Sequence, residues 1–125
     1  MILRSAANIL LIDWPDESIP KTLFAAGFNV FGYSPHQYTA AGTDGKGRLI
    51  FRPVDCLPEK IDIVNVFRPE NELPGIIEKL VLPSGATNVW LQPPVTLGVK
   101  AEFASKFGLN FIEEENIAEW AARLK

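Results

Sequence analysis

The run Asn8-Ile9-Leu10-Leu11-Ile12-Asp13 is apolar at every interior position. A strand with one wet face alternates apolar and polar residues. An unbroken run is the mark of a parallel strand covered by helices on both sides. Trp14 to Glu17 reads as a turn. Ser18 can cap a helix, Pro20 is tolerated in its first turn, and Ile19, Leu23 and Ala26 supply an apolar stripe. Gly27 suits the residue just past the helix end, where positive φ is common. Phe28 to Tyr33 forms the second strand, which ends at Ser34-Pro35.

Residues 36–47 are punctuated by Ala40, Ala41, Gly42, Gly45 and Gly47 and read as a loop. Arg48 to Phe51 is a short third strand near an edge, and Cys56 to Lys60 a connector. Ile61 to Phe67 is the fourth strand, rich in β-branched residues and stopped by Arg68-Pro69-Glu70. Asn71 can cap the next helix, in which Leu73, Ile76, Ile77, Leu80 and Val81 share one face. Thr87 to Gln92 is the fifth strand, stopped by Pro93-Pro94. Val99, Phe103 and Phe107 pace a helix closed by Gly108, and Leu109 to Ile112 is a sixth short strand. Asn116 with Glu119 makes a capping pair for a last helix, whose buried stripe is Ile117, Trp120, Ala121 and Leu124. Strands alternating with helices imply an α/β fold with parallel pairing. Ligands of such sheets bind beyond the carboxyl ends of the strands, where the strand order switches. The loops Asp13–Ser18, Ser34–Thr39, Arg68–Asn71 and Pro93–Thr96 therefore matter most.

Composition narrows the class without naming a chemistry. The 125 residues suit one domain spanning 1–125, and 47% hydrophobic with 22% charged residues is ordinary for a globular chain. One cysteine, Cys56, excludes an intramolecular disulfide, so a reducing, cytoplasmic setting is expected. The formal charge of −3 argues against general affinity for nucleic acid. No apolar run is long enough to span a bilayer, and Met1 to Asn8 is not expected to be a signal peptide.

Three stretches carry a family resemblance: Pro58 through Phe67-Arg68-Pro69, Asn88-Val89-Trp90-Leu91-Gln92-Pro93-Pro94-Val95, and Gly27-Phe28-Asn29-Val30 leading to Tyr33-Ser34-Pro35. Together they resemble the CoA-binding domain proteins, similar to the nucleotide-binding domain of succinyl-CoA synthetase, over most of residues 8–112. The resemblance implies a Rossmann-like three-layer sandwich with a mostly parallel sheet of five to six strands. It also implies CoA or acyl-CoA as ligand, held by residues matching Asp13, Trp14, Pro15, Ser34, Pro35, Arg68, Pro69, Gln92, Pro94 and Val95. The chain departs from the family at two places. Asp13-Trp14-Pro15 stands where the family carries a glycine, a small or apolar residue and serine, a turn that lets backbone N–H groups reach a pyrophosphate. Glu114-Glu115-Asn116 stands where the family often has aspartate, arginine and cysteine. Both changes remove features favourable to an anion, and Pro15 also removes an N–H donor.

Each candidate residue has a plainer alternative. Arg68 is either a phosphate or carboxylate clamp or the partner of Glu70, Glu72 or Asp13. Trp14 stacks on a base, plugs the pocket or meets a partner; Trp90 is core. Gln92 ends a strand toward the crevice, where it bonds a ligand or local backbone. Ser34 with His36 lacks a carboxylate to orient a nucleophile, and a surface-loop histidine is the better reading. Cys56 has no partner that would lower its pKa. One histidine and one cysteine cannot build a typical zinc site. Glu113-Glu114-Glu115 reads as a solvated acidic loop. Lys46, Arg48 and Arg52 either attract a 3′-phosphate or guard a sheet edge. The readings that survive are a non-catalytic CoA or nucleotide-binding module, and a degenerate relative acting through a protein partner or as a homodimer. An enzyme ranks last, because no acid–base or nucleophile set is recognisable.

Overall fold

The computed structural model describes residues 6–34, 37–55, 57–93, 95, 98 and 100–123. In chain order the elements are β1 (Asn8–Ile12), α1 (Ser18–Ala25), β2 (Asn29–Tyr33), β3 (Tyr38–Thr43), β4 (Leu49–Pro53), β5 (Ile63–Val66), a composite helix α2 (70–84), β6 (Asn88–Leu91), α3 (Lys100–Phe107), β7 (Asn110–Ile112) and α4 (Ile117–Arg123). The strands form one sheet in the order β4-β3-β2-β1-β5-β6-β7. The five strands from β2 to β7 across the sheet run parallel, and β3 and β4 join β2 as an antiparallel hairpin. The chain leaves β1 toward one edge and returns to β5 on the other side of β1. The strand order therefore switches between β1 and β5.

Helices cover both faces, giving the three layers of a Rossmann-like α/β fold. On one face Leu10, Ile12, Val64, Val66, Val89 and Leu91 pack against Leu73, Ile76, Ile77 and Val81 of α2, with Phe103 and Phe107 of α3 alongside. On the other, Ile9, Leu11, Val30, Ile63 and Trp90 pack against Ile19 and Leu23 of α1 and Ile117 and Ala121 of α4. Alternate residues of β1 thus go to opposite cores, and for that reason the run shows no polar position. Among the described residues no helix is long and apolar enough to cross a membrane.

Register is held at the amino-terminal edge by side-chain amides. Asparagine is the first residue of β1, β2, β6 and β7. Asn29 Nδ2 donates to Asn8 Oδ1 at 3.0 Å, and Asn110 Nδ2 donates to Asn88 Oδ1 at 3.2 Å. Asn8 Nδ2 donates to the Lys60 carbonyl, and Asn88 Nδ2 to that of Asp62. The Asp62 carboxylate accepts from the Ala7 and Asn8 N–H groups, each at 2.8 Å. A one-residue slip would exchange the two cores and break these bonds together.

The sheet has seven strands, against an expected five to six, because residues 36–47 are not all loop. Tyr38–Thr43 is a strand although Ala40, Ala41 and Gly42 have little strand preference. Pairing with β2 on one side and β4 on the other supplies what local propensity does not. The β3–β4 turn is tied by Asp44, whose carboxylate accepts from the Lys46 and Arg48 N–H groups and the Arg48 guanidinium.

Helix starts also differ from expectation. Ser18 does not cap α1; Asp16 Oδ1 accepts from both the Ser18 N–H and hydroxyl. Those bonds hold the Asp16 carboxyl below its ordinary 3.8. Asn71 does not cap α2. That helix opens as a 3₁₀ turn, Glu70–Glu72, directly after Pro69, and continues as α over Leu73–Ile76, π over Ile77–Val81 and α over Leu82–Ser84. The wide π turn stands just before Pro83, which has no N–H to give and crowds the preceding turn. Asn116 does cap α4, its Oδ1 accepting from the Ala118 and Glu119 N–H groups. The acidic stretch before it is more than a solvated loop. The Glu115 carbonyl accepts from Trp90 Nε1 at 2.7 Å, and its carboxylate from Trp120 Nε1 at 2.6 Å. Val99 and Leu124 lie outside the described residues.

Two core positions generate predictions. Asn65 is fully buried between Leu11 and Trp90, and neither its Oδ1 nor its Nδ2 has a hydrogen-bond partner. Asn65→Leu, similar in size, should stabilise the chain by about 1–2 kcal/mol. Urea denaturation measures this, and a loss of stability would show that the amide is satisfied. Gly32 leaves a slot for Trp14: a Cβ there would come within 2.8 Å of the indole, which also stacks on Phe51 at 5.2 Å. Gly32→Ala should therefore cost roughly 1–3 kcal/mol by overpacking. An unchanged denaturation midpoint would mean that the indole moves aside freely.

Candidate functional site

The carboxyl ends of β1, β2 and β5 open into a cleft of about 670 Å³ against α2. It sits at the switch between β1 and β5, where strands feed helices on opposite faces and leave a gap between them. Ile12 and Asp13 line it from β1, Tyr33 and Ser34 from β2, and Arg68 from the end of β5. Asn71, Glu72, Gly75, Ile76, Lys79 and Leu80 close it along α2.

Arg68 is the centre of its polar chemistry. Nε and Nη2 donate to the two oxygens of Glu72, at 3.1 and 2.8 Å, the fork-on-fork geometry that suits a guanidinium. Nη1 donates to Asp13 Oδ2 at 2.9 Å. Hydrogen bonds to Glu72 and then Asp13 push the guanidinium above its ordinary range. Of the partners open to Arg68 in the sequence, Asp13 and Glu72 are taken, whereas Glu70 accepts from the Gly98 N–H at 2.6 Å.

Asp13 holds a left-handed backbone, φ 61°, which glycine adopts most readily and aspartate tolerates better than most residues. Its backbone N–H donates to the Tyr33 carbonyl, and its Oδ1 accepts from the Trp14 N–H at 2.9 Å. One carboxylate therefore holds Arg68 with one oxygen and the start of the next turn with the other. Asp16, three residues on, lies just before α1.

The other expected residues fall in several places. Ser34 lines the cleft rim. Pro15 and Pro69 are exposed. Trp14 does not plug the cleft; its indole lies on the opposite face of the sheet, because the glycine at Gly32 and the ring of Phe51 make its seat there. Gln92 does not face the cleft either. It is buried, and its Oε1 accepts from the Ile117 N–H at 3.2 Å, which satisfies the first turn of α4. Val95 is half-buried against the α2-side core. Pro35, His36, Cys56, Pro94 and Thr96 lie outside the described residues. Of the basic stretch, Arg48 pairs with Asp44 at 2.7 Å and Arg52 is exposed on β4.

Sequence reasoning missed Tyr33, Gly75 and Lys79 as lining residues and took Asn71 for a cap. A signal was present: Glu72, Gly75 and Lys79 recur at helical spacing beside the apolar stripe, so they share a neighbouring face. Gly75 has open space where a Cβ would stand, so the helix widens the cleft at that point. Among the described residues no group of three or more His, Cys, Asp or Glu side chains could hold a metal ion.

Two comparisons bear on this arrangement. A Thermus thermophilus protein solved as cell-free ID.343 superposes with a TM-score of 0.73 at 23% identity, over 99% of this chain and 94% of that one, and so shares its fold. A family model described as CoA binding domain matches residues 13–123, from the left-handed Asp13 to the last turn of α4. The chain with its Arg68 cleft at the β1–β5 switch thus belongs to the CoA-binding domain family.

Proposed function

We propose that the chain is a non-catalytic module that binds CoA, an acyl-CoA or a related adenine nucleotide in the β1–β5 cleft. The observation that carries this is the cleft itself: it lies at the strand-order switch, with Arg68 and Lys79 on its wall. Its volume falls within the range usual for small-molecule sites. The residues present fit such a ligand. Arg68 and Lys79 are the cations for phosphate oxygens, Ser34 offers a hydroxyl at the rim, and Gly75 leaves room along the helix. A bound CoA would supply a thiol and its thioesters; the residues of this chain bind and orient, and among the described residues none forms an acid–base or nucleophile pair.

A second reading rests on Asp13. Its carboxylate already occupies Arg68, so a relative that has given up CoA and works through a partner or as a homodimer would look like this. Against it, Leu82 is the one large apolar side chain that is exposed among the described residues, so no broad apolar patch favours a partner.

Thermal shift with CoA, acetyl-CoA, NAD, ATP and buffer separates the two. At ten times its Kd a ligand adds about 1.4 kcal/mol, a rise of roughly 4 °C in Tm. CoA should produce such a rise. Gly75→Leu should fill the cleft and abolish it while the chain remains folded, since leucine is the better helix former. No rise with any of the four ligands at millimolar concentration would leave the partner reading standing instead.

A further inference from the structure

We propose that Asp13 is an autoinhibitory latch: its carboxylate competes with ligand phosphate for Arg68, and its release is transmitted to Trp14 on the opposite face of the sheet. The inference rests on the phosphate-bearing ligand argued above and adds how its entry is regulated.

Three observations carry it. First, Asp13 Oδ2 takes the Nη1 donor that Arg68 turns toward β1, while Glu72 takes Nε and Nη2. Three of the five guanidinium N–H donors thus end on carboxylates of the chain, which leaves one on Nη1 and one on Nη2. A phosphate approaching Arg68 meets the Asp13 carboxylate 2.9 Å from Nη1, and takes the donor that Asp13 holds only by replacing it. Glu72 is held through two bonds and Asp13 through one, so Asp13 is the weaker competitor. Both ion pairs are partly exposed, 38% for Arg68 and 33% for Asp13. A pair of that exposure is weak enough to exchange.

Second, the same carboxylate accepts from the Trp14 N–H. When Oδ2 leaves Arg68, the group that anchors Trp14 moves with it. Third, Trp14 has a defined seat to leave, against Gly32 and on Phe51 of β4. The left-handed turn at Asp13 is what sends residue 13 into the cleft and residue 14 to the other face. Cleft and hairpin are joined by two consecutive residues.

The test uses Asp13→Asn. Asparagine accepts the left-handed backbone and keeps an oxygen for the Trp14 N–H, so it removes the charge on Arg68 and little else. CoA binding is measured by calorimetry for both chains, and the Trp14 indole N–H is followed by NMR in the wild type as CoA is added. The variant should bind roughly three- to tenfold more tightly, and the Trp14 resonance should shift with saturation. Wild-type binding with no gain in the variant overturns the latch and leaves CoA binding intact. A gain without movement of Trp14 reduces Asp13 to simple charge repulsion and overturns displacement. Binding by the variant alone upholds a fully closed latch and removes CoA as ligand of the native chain. Binding by neither overturns both.

Discussion

Burial of β1 and β5 on both faces is the constraint from which the rest of the molecule follows. Ile9, Leu10 and Leu11 have no exposed surface, and neither do Ile63, Val64 and Val66. Two such strands side by side need a helix layer above and another below. α1 leaves β1 toward one face and α2 leaves β5 toward the other. The gap between these departures is the cleft, so the candidate site is a consequence of how the central strands are covered. The asparagine bonds at the far edge serve the same end. They fix the register at one end of the strands and thereby bring Asp13, Ser34 and Arg68 level at the other.

What the sequence revealed tracks what burial writes into it. β1 was legible because two-sided burial leaves an unbroken apolar run, and β5 because β-branched residues flank its buried Asn65. α2 was legible through Leu73, Ile76, Ile77 and Val81, all of which are buried. β3 was not, since Tyr38 to Gly42 are only partly buried and small residues dominate them. Its existence is decided by partners on both sides, which no local pattern records. The pairing of Arg68 with Asp13 was open from the residue types alone, because both stand at strand ends that the parallel order makes neighbours. Trp14 was the least legible. Its side of the sheet depends on the sign of one φ angle and on a glycine eighteen positions away, two facts with no signature at Trp14 itself.

Asp13 shows how a turn can hold a glycine-like backbone while carrying a charged side chain. A non-glycine residue at φ 61° costs on the order of 1 kcal/mol. Here that cost is offset locally: one carboxylate oxygen satisfies the Trp14 N–H and the other meets Arg68. The backbone path suited to glycine is thus preserved by a residue that brings its own anion. Asp16 likewise accepts from the Ser18 N–H and hydroxyl just before α1. The Trp14 and Ser18 N–H groups and one Arg68 donor are thus met from within the chain.

The Asp13 carboxylate also bears on the electrostatics of the cleft. Its charged lining consists of Asp13 and Glu72 against Arg68 and Lys79, two of each sign. A balanced lining gives little long-range field, so an approaching polyphosphate is not steered by charge. Whatever affinity the cleft has must arise after contact, through exchange of one carboxylate for another oxyanion on Arg68. Exchange of like for like gains little enthalpy, and the advantage goes to a ligand that adds interactions elsewhere, along the open stretch at Gly75 and the half-buried Leu80. A ligand with a long body beyond its phosphates meets that requirement better than a free anion, which has only the contested guanidinium and Lys79 to bind.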